Sequence, residues 1–452
     1  MPTLQHDLQK FAETTLKIVT DAKANATIQP EQESFWKWKL NEFEYGESGI
    51  TKSQATGQYV TEIAWWKAFI ALGKAVSETA EFAAALNASK QNFPGVTTQD
   101  FERFKDAILN NCLSREGAGE AQRENDETIR RFLNDLSGGL VLYKAKVELQ
   151  GVTLQPPDIS LDAGISIRQP VRKDLEKTLP PIGLWSHTLS NPSAILEVEL
   201  RATRGRGALL QAEIERCVAL LRLFNVGSVK WVAYETRSES LLDMLGQGTL
   251  YGGGSSSALE NYYIDADSEG VLKRFWHTMS ALLPKDVYAL HSKQVNHITL
   301  AYDRYSDGLL QNGIVERRIA NAVMGLEALF LEEAQELSYR LGLRIAKTLS
   351  LLGRNPLEVR EVIQDAYAIR SAFAHGGHLT YKAKKKLESK HGEVKKLLCS
   401  VLDYLRLSTI VMILSRISKD EFVDLVDDSL LDANKHQQLQ NRVSDAKTLV
   451  GV

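Results

Sequence analysis

The stretch Tyr367-Ala368-Ile369-Arg370-Ser371-Ala372-Phe373-Ala374-His375-Gly376-Gly377 ends a segment whose limits are chemically marked. Asn355 can cap its start, Pro356 suits a first helical turn, and the two glycines supply a stop. At about 100° per residue, Val359, Val362, Ile363, Ala366, Ile369 and Phe373 make one apolar stripe, so the segment reads as an amphipathic helix. Arg370 falls inside that stripe. A guanidinium on a packing face is costly unless it meets a carboxylate or opens into a polar cleft or an interface. Glu327, set among Leu326, Ala328 and Leu329, is the expected partner, with Glu316 as the competing choice. Ser371 and His375 stand one helical turn apart beside the Arg370 edge, which groups a cation, a hydroxyl and an imidazole near one helix end.

Working outward, the chain from Val295 onward reads as a bundle, with helices expected near 295–309, 313–334, 336–352, 356–375, 379–390 and 392–417 joined by short connections. The N-terminal part reads as helical near 3–23, 55–90, 97–114 and 121–136. After Gly138-Gly139 the pattern changes to extended runs at 140–149 and 159–167, then a connection through Pro170, Pro180 and Pro181. A strand at 194–202, a helix at 208–224 and a strand at 228–234 follow. The expected fold class is therefore α+β, mostly helical, in three parts: a helical region 1–136, a mixed α+β domain 137–290 and a helical domain 291–452.

The motif resembles the Arg-polar-x3-His pattern of HEPN-domain ribonucleases. The resemblance extends to Ile314-Val315-Glu316-Arg317-Arg318, to Met324-Gly325-Leu326-Glu327-Ala328-Leu329-Phe330 and to Leu337-Ser338-Tyr339-Arg340-Leu341-Gly342-Leu343-Arg344-Ile345-Ala346, which together look like the Apea-like branch of that family over roughly residues 295–417. It implies a homodimer whose two motif helices line one cleft, and cleavage of RNA by its own 2′-hydroxyl. It also implies a role in bacterial defence against phage, of the abortive-infection type, with transfer RNA or messenger RNA as substrate and a phage-derived activator or a neutralising partner as control. The alternative is a non-catalytic HEPN module that binds RNA or protein.

RNA cleavage of this kind needs a base, an acid and positive charge facing the phosphorane. His375 and Arg370 are those residue types, and Ser371 suits an orienting role because no acid or second histidine is spaced to activate it. Lys382, Lys384, Lys385, Lys386 and Lys390 follow the motif and could hold a phosphate backbone, with a solvated helix face as the plain alternative. Arg340 and Arg344, four apart on one face, could also contact RNA, but helix salt bridges or structural caps are the preferred reading of that spacing.

Bulk properties limit the remaining options. A net charge of -3 over 452 residues excludes coating of nucleic acid by overall charge. Cys112, Cys217 and Cys399 are too few and too scattered for a disulfide framework or a zinc site, and His375, His378 and His391 lack a completing ligand set, so no metal or other cofactor is expected. The apolar runs look too short for a bilayer and the first residues lack a leader pattern, which points to a cytoplasmic protein without membrane contact. Four of the seven tryptophans, Trp36, Trp38, Trp65 and Trp66, fall early in the chain and are expected to fill a core in preference to forming a nucleic-acid platform. Thr203-Arg204-Gly205-Arg206-Gly207 and Tyr251-Gly252-Gly253-Gly254-Ser255-Ser256-Ser257 read as loops in preference to phosphate cradles, since neither carries a Gly-Lys-Ser/Thr ending.

Overall fold

In the computed structural model the helix opened by Asn355 runs over Pro356–Ala374, and the Asn355 side chain accepts from the Leu357 amide at 3.0 Å. The structure describes residues 2–47, 49–176, 178–179, 192–243, 248–251, 262–288, 295–311, 314–332, 337–376 and 380–450. The expectations for Pro180, Pro181, the run Gly252 to Ser257, Gly377 and His378 lie outside them.

The chain begins with α1 (Pro2–Ala24), β1 (Glu31–Gly46), β2 (Gly49–Ala64), α2 (Trp66–Ser77), α3 (Ala80–Asn92), α4 (Thr98–Ser114) and α5 (Ala118–Leu136). The two strands form a long antiparallel hairpin where the sequence suggested a helix from residue 55. Tyr59, Val60, Thr61 and Ile63 are aromatic or β-branched and favour a strand, and helix begins only at Trp66. Thr79 then breaks the rest of that run by capping α3, accepting from the Phe82 amide at 3.1 Å. The tryptophan expectation is corrected as well. Trp36, Trp38 and Trp65 are half-buried and Trp66 is 61% exposed, because the first two sit on a ribbon that no layer covers on both sides. The core of the N-terminal helices is instead phenylalanine, with Phe11, Phe82, Phe101, Phe104 and Phe132 in mutual ring contact.

The middle of the chain contributes β3 (Leu140–Gln150), β4 (Val152–Leu154), β5 (Asp158–Asp162), β6 (Ile165–Arg168), α6 (Arg172–Leu175), β7 (Thr178–Leu179), β8 (Ala194–Thr203), α7 (Gly207–Phe224), β9 (Lys230–Ser238), β10 (Gly248–Tyr251), β11 (Tyr262–Ile264), α8 (Ala266–Leu282) and α9 (Lys285–Tyr288). Six strands make one sheet in the order β10-β9-β3-β8-β6-β5. β8 and β9 both run antiparallel to β3, so they are parallel to each other and α7 crosses between them. Gly151 permits the turn out of β3. Its φ is +90°, and a Cβ there would lie 2.3 Å from the Ser228 carbonyl carbon.

The last part holds α10 (His297–Leu310), α11 (Val315–Phe330), α12 (Leu337–Ser350), α13 (Pro356–Ala374), α14 (Tyr381–His391), α15 (Val394–Ser415), α16 (Lys419–Asp428) and α17 (Ala433–Val450). The last two lie beyond the six expected helices, and Ser418 with Glu421 forms the capping box that starts α16. α15 is long and apolar enough to cross a membrane, contrary to the reading of run lengths, but 83% of its apolar window is buried inside the fold. Sheet and bundle share one core, continuous from Val141 to Ala446. Arg406, the buried cation of α15, donates to the Leu223 and Phe224 carbonyls at the end of α7 and is held by Asp403.

Arg406→Ala leaves two carbonyls and one oxygen of the Asp403 carboxylate without their donor, the other oxygen keeping Arg354 at 3.0 Å, and is expected to lower stability by roughly 3 kcal/mol. Urea unfolding followed by circular dichroism checks this. Loss within a single transition is the expected outcome, because sheet and bundle share their core.

Candidate functional site

α13 lies against α11, α12 and α15, and its stripe is buried as expected at Val359, Val362, Ile363, Ala366 and Ile369. Phe373, the last member, is half-buried, since the helix end leaves the core there. Arg370 is also half-buried and its Nη2 donates to Glu327 Oε2 at 3.0 Å across to α11. Glu327 is therefore the carboxylate that answers the cation. Glu316, three helical turns earlier in α11, is about 16 Å away along the axis.

The pair is incompletely satisfied. Arg370 Nε and Glu327 Oε1 are both buried and make no hydrogen bond among the described residues. Burial pushes the Glu327 carboxyl above its usual range, and Arg370 opposes that only in part. The Tyr367 ring lies 5.8 Å from the Arg370 guanidinium and covers another side of it. Burial also raises the Tyr367 phenol, with Glu327 adding to the effect. Tyr367 lies within the quoted motif, yet the sequence reading gives it no role. The signal was its position three residues before Arg370, on a neighbouring helix surface.

His375 is the C-cap of α13. Its backbone amide donates to the Ser371 carbonyl at 3.3 Å, and its side chain is exposed. Ser371 is half-buried one turn before it. Among the described residues neither the imidazole nor the Ser371 hydroxyl makes a hydrogen bond within the chain, so the helix carries both groups but no neighbour orients them.

The lysine run divides. Lys382, Lys384, Lys385 and Lys386 project from α14, largely exposed, with the Lys385 ammonium 5.0 Å from the ring centre of Tyr381, itself 74% exposed. Lys390 instead turns inward to Glu361 and Asp365, both at 2.6 Å, and His391 Nε2 meets the same Asp365 oxygen at 2.7 Å. Burial works to raise the Asp365 carboxyl, but Lys390 and His391 more than reverse it and hold it below the usual carboxylate range. This clamp docks α14 on α13, and spacing could not reveal it because its members lie 25 and 26 residues apart.

Arg344 leaves the RNA-binding set. Its guanidinium is only 7% exposed, grips Asp427 with Nε at 2.9 Å and Nη2 at 2.7 Å, and donates to the Phe330 carbonyl at 2.6 Å. It ties α12 to α16 and to the end of α11, the salt-bridging and capping alternative to RNA contact, with a partner that lies outside its own helix. Arg340 is half-buried and engaged, beside an exposed Tyr339 whose ring packs 5.5 Å from Arg360.

Elsewhere, Gly205 takes φ +78° and its amide donates to Asp243 at 3.2 Å, so the Thr203 to Gly207 loop already spends an amide on a carboxylate. A cleft of about 770 Å³ between α5 and the sheet contains Arg130, Arg131, Lys144 and Arg237, each already paired with a glutamate or, for Arg131, with the Glu239 carbonyl. A second cleft of about 800 Å³ lies beside α7. Neither is lined by Arg370, Ser371 or His375. Comparison with family models, with curated proteins and with solved structures finds no match to this chain.

Glu327 gives the site a pH signature. With its folded pKa above the unfolded value, its contribution to stability is present below the ordinary carboxylate range and is lost as pH rises through the raised value. Glu327→Gln cannot titrate. The stability difference between wild type and variant is therefore expected to shift against the wild type between those two pH values. Melting curves taken from about pH 4 to about pH 7, which bracket the ionisation of such a carboxyl, check this.

Proposed function

We propose that the protein is a metal-independent endoribonuclease of HEPN type, acting in bacterial anti-phage defence, with Arg370 and His375 of two copies lining a common cleft. In this reaction the RNA 2′-hydroxyl loses its proton to a base and its oxygen bonds to the adjacent phosphorus. The bond from phosphorus to the 5′-oxygen breaks, an acid protonates that oxygen, and a cyclic phosphate end remains. His375 handles a proton, Arg370 faces the phosphorane charge, and Ser371 orients. Lys382, Lys384, Lys385 and Lys386 hold the strand on either side.

The observation that carries this reading is the half-buried Arg370, held by Glu327 through Nη2, on the same helix end as an exposed histidine. A fork fixed by one carboxylate, with its side chain 28% exposed, suits a phosphate oxygen on its open side. A second reading, a HEPN module that binds RNA or protein without cutting, is favoured by one feature: no described side chain orients the His375 imidazole. In the catalytic reading that orientation comes from the second copy or from the RNA.

Purified protein incubated with total bacterial RNA in EDTA separates the two. New ends carrying cyclic phosphate, reduced about a hundredfold or more in His375→Ala and in Arg370→Ala, are expected for the enzyme. Unchanged RNA, with binding insensitive to His375→Ala, supports the module. Glu327→Ala is expected to lose cleavage while remaining folded, and full activity in that variant removes Glu327 from the site. Replacing the four exposed lysines by alanine should weaken binding of all sequences alike. It should also flatten the salt dependence by about 0.7 in logarithmic slope for each phosphate no longer neutralised.

A further inference from the structure

β2 is the outer strand of the sheet β2-β1-β7, and among the described residues no strand pairs with its far side. Such an edge offers a row of backbone donors and acceptors to any passing strand, so soluble proteins blunt it with charges, prolines, bulges or a cover. Between Lys52 and Glu62, its only charged residues, β2 carries no charge and no proline, and the bulge in that stretch places its extra residue, Asn41, on β1. Glu62 is also badly placed within the chain. It stands directly opposite Glu33 of β1 on one face, where like charges repel, and among the described residues it joins no ion pair. Lys52 reaches Glu42 at 3.1 Å, with both side chains about half exposed.

We propose that β2 pairs antiparallel with β2 of a second copy of this chain, with Gly57 on the two-fold axis, so that Lys52 of each copy faces Glu62 of the other. Lys52 and Glu62 each lie five residues from Gly57, so this axis brings both charge pairs together at once. Moving the axis to Thr56 or Gln58 would set Lys52 against Val60 or Ala64 and leave Glu62 facing only Glu33. The favoured axis also lies near the middle of the strand, which gives almost complete overlap.

Directly facing residues share a face of the sheet, and a two-fold axis perpendicular to it puts the aromatic sides of both hairpins together. Trp36 lies 4.9 Å from Tyr59 and 5.8 Å from Trp38 by ring centres, and Tyr59 is 61% exposed. Tyr59 of one copy then faces the small Ala55 of the other, so the aromatic shelf becomes continuous across a four-stranded ribbon. A ribbon of three or more strands with an apolar face also holds its shape better than a lone hairpin. This contact is separate from the helical cleft, and a chain with two distinct self-complementary surfaces builds a closed tetramer or a filament.

The test is a charge swap in the full-length protein, followed by sedimentation over a range of concentrations at low salt. Lys52→Glu and Glu62→Lys each set like charges opposite one another and are expected to weaken one association step roughly tenfold or more. The double variant restores it. An equimolar mixture of the two single variants restores it too, because one chain then carries a carboxylate at both positions and the other an ammonium at both. Equal masses for wild type, single variants and mixture at every concentration overturn the proposal. Glu62→Lys removes the repulsion with Glu33, so its loss of association cannot come from a weakened hairpin, and a melting curve verifies that. If the helical dimer also forms, the single variants remain dimers; if it does not, they become monomers.

Discussion

Everything in the larger body of the protein is arranged around one apolar helix, α15. Residues 401 and 402 and all of 404–415 are buried, so this helix must be surrounded, and α7, α10, α11, α12, α13, α14, α16 and α17 all pack on it. An apolar helix of this length gains about 1.5 to 3 kcal/mol for each large side chain it hides, and it gains that only if the wall is closed. The constraint makes Arg406 notable. A charge in such surroundings needs every donor answered, and the answer comes from the carbonyls left over at the end of α7, outside the bundle. One group left over at a helix end and one buried cation satisfy each other, and so the sheet layer is fixed to the bundle.

The candidate site sits where that wall ends. α13 is packed through Ile369 and then leaves the core, and the change from buried to exposed happens over Arg370 to His375. The cation at the edge is close enough to the core to be held and close enough to the surface to meet a ligand. α14 extends the same surface, clamped by Asp365 through residues that ordinary helix pairing does not predict.

How much of this was legible depends on the range of the interaction. Asn355, Pro356 and the stripe from Val359 to Ile369 are local signals, and they located α13 to within a residue. The Arg370 partner could be inferred because a cation inside an apolar stripe limits its own surroundings, and Glu327 was a carboxylate flanked by core residues. A salt-bridging or capping role for Arg344 was legible in its spacing, but its partner was not, since only the fold reveals that Asp427, 83 residues away, occupies it. The hairpin failed for another reason: its aromatic and β-branched residues run directly into the helix-forming stretch after Trp66, so the change of period fell inside one apparent run. Of the last two helices, α16 begins with a capping box that is readable in principle at Ser418 and Glu421.

The continuity of the core also bears on how this protein can be divided. The N-terminal helices keep their own phenylalanine cluster, whereas Trp276 of α8 and Leu223 of α7 belong to the same packed mass as α10 and α15. A cut near residue 290 would strip that side of the bundle to solvent and leave the Arg406 guanidinium without the carbonyls it was built to meet. The unit that can be inherited, transplanted or expressed intact therefore starts no later than β3, even though the motif helices occupy only its last part.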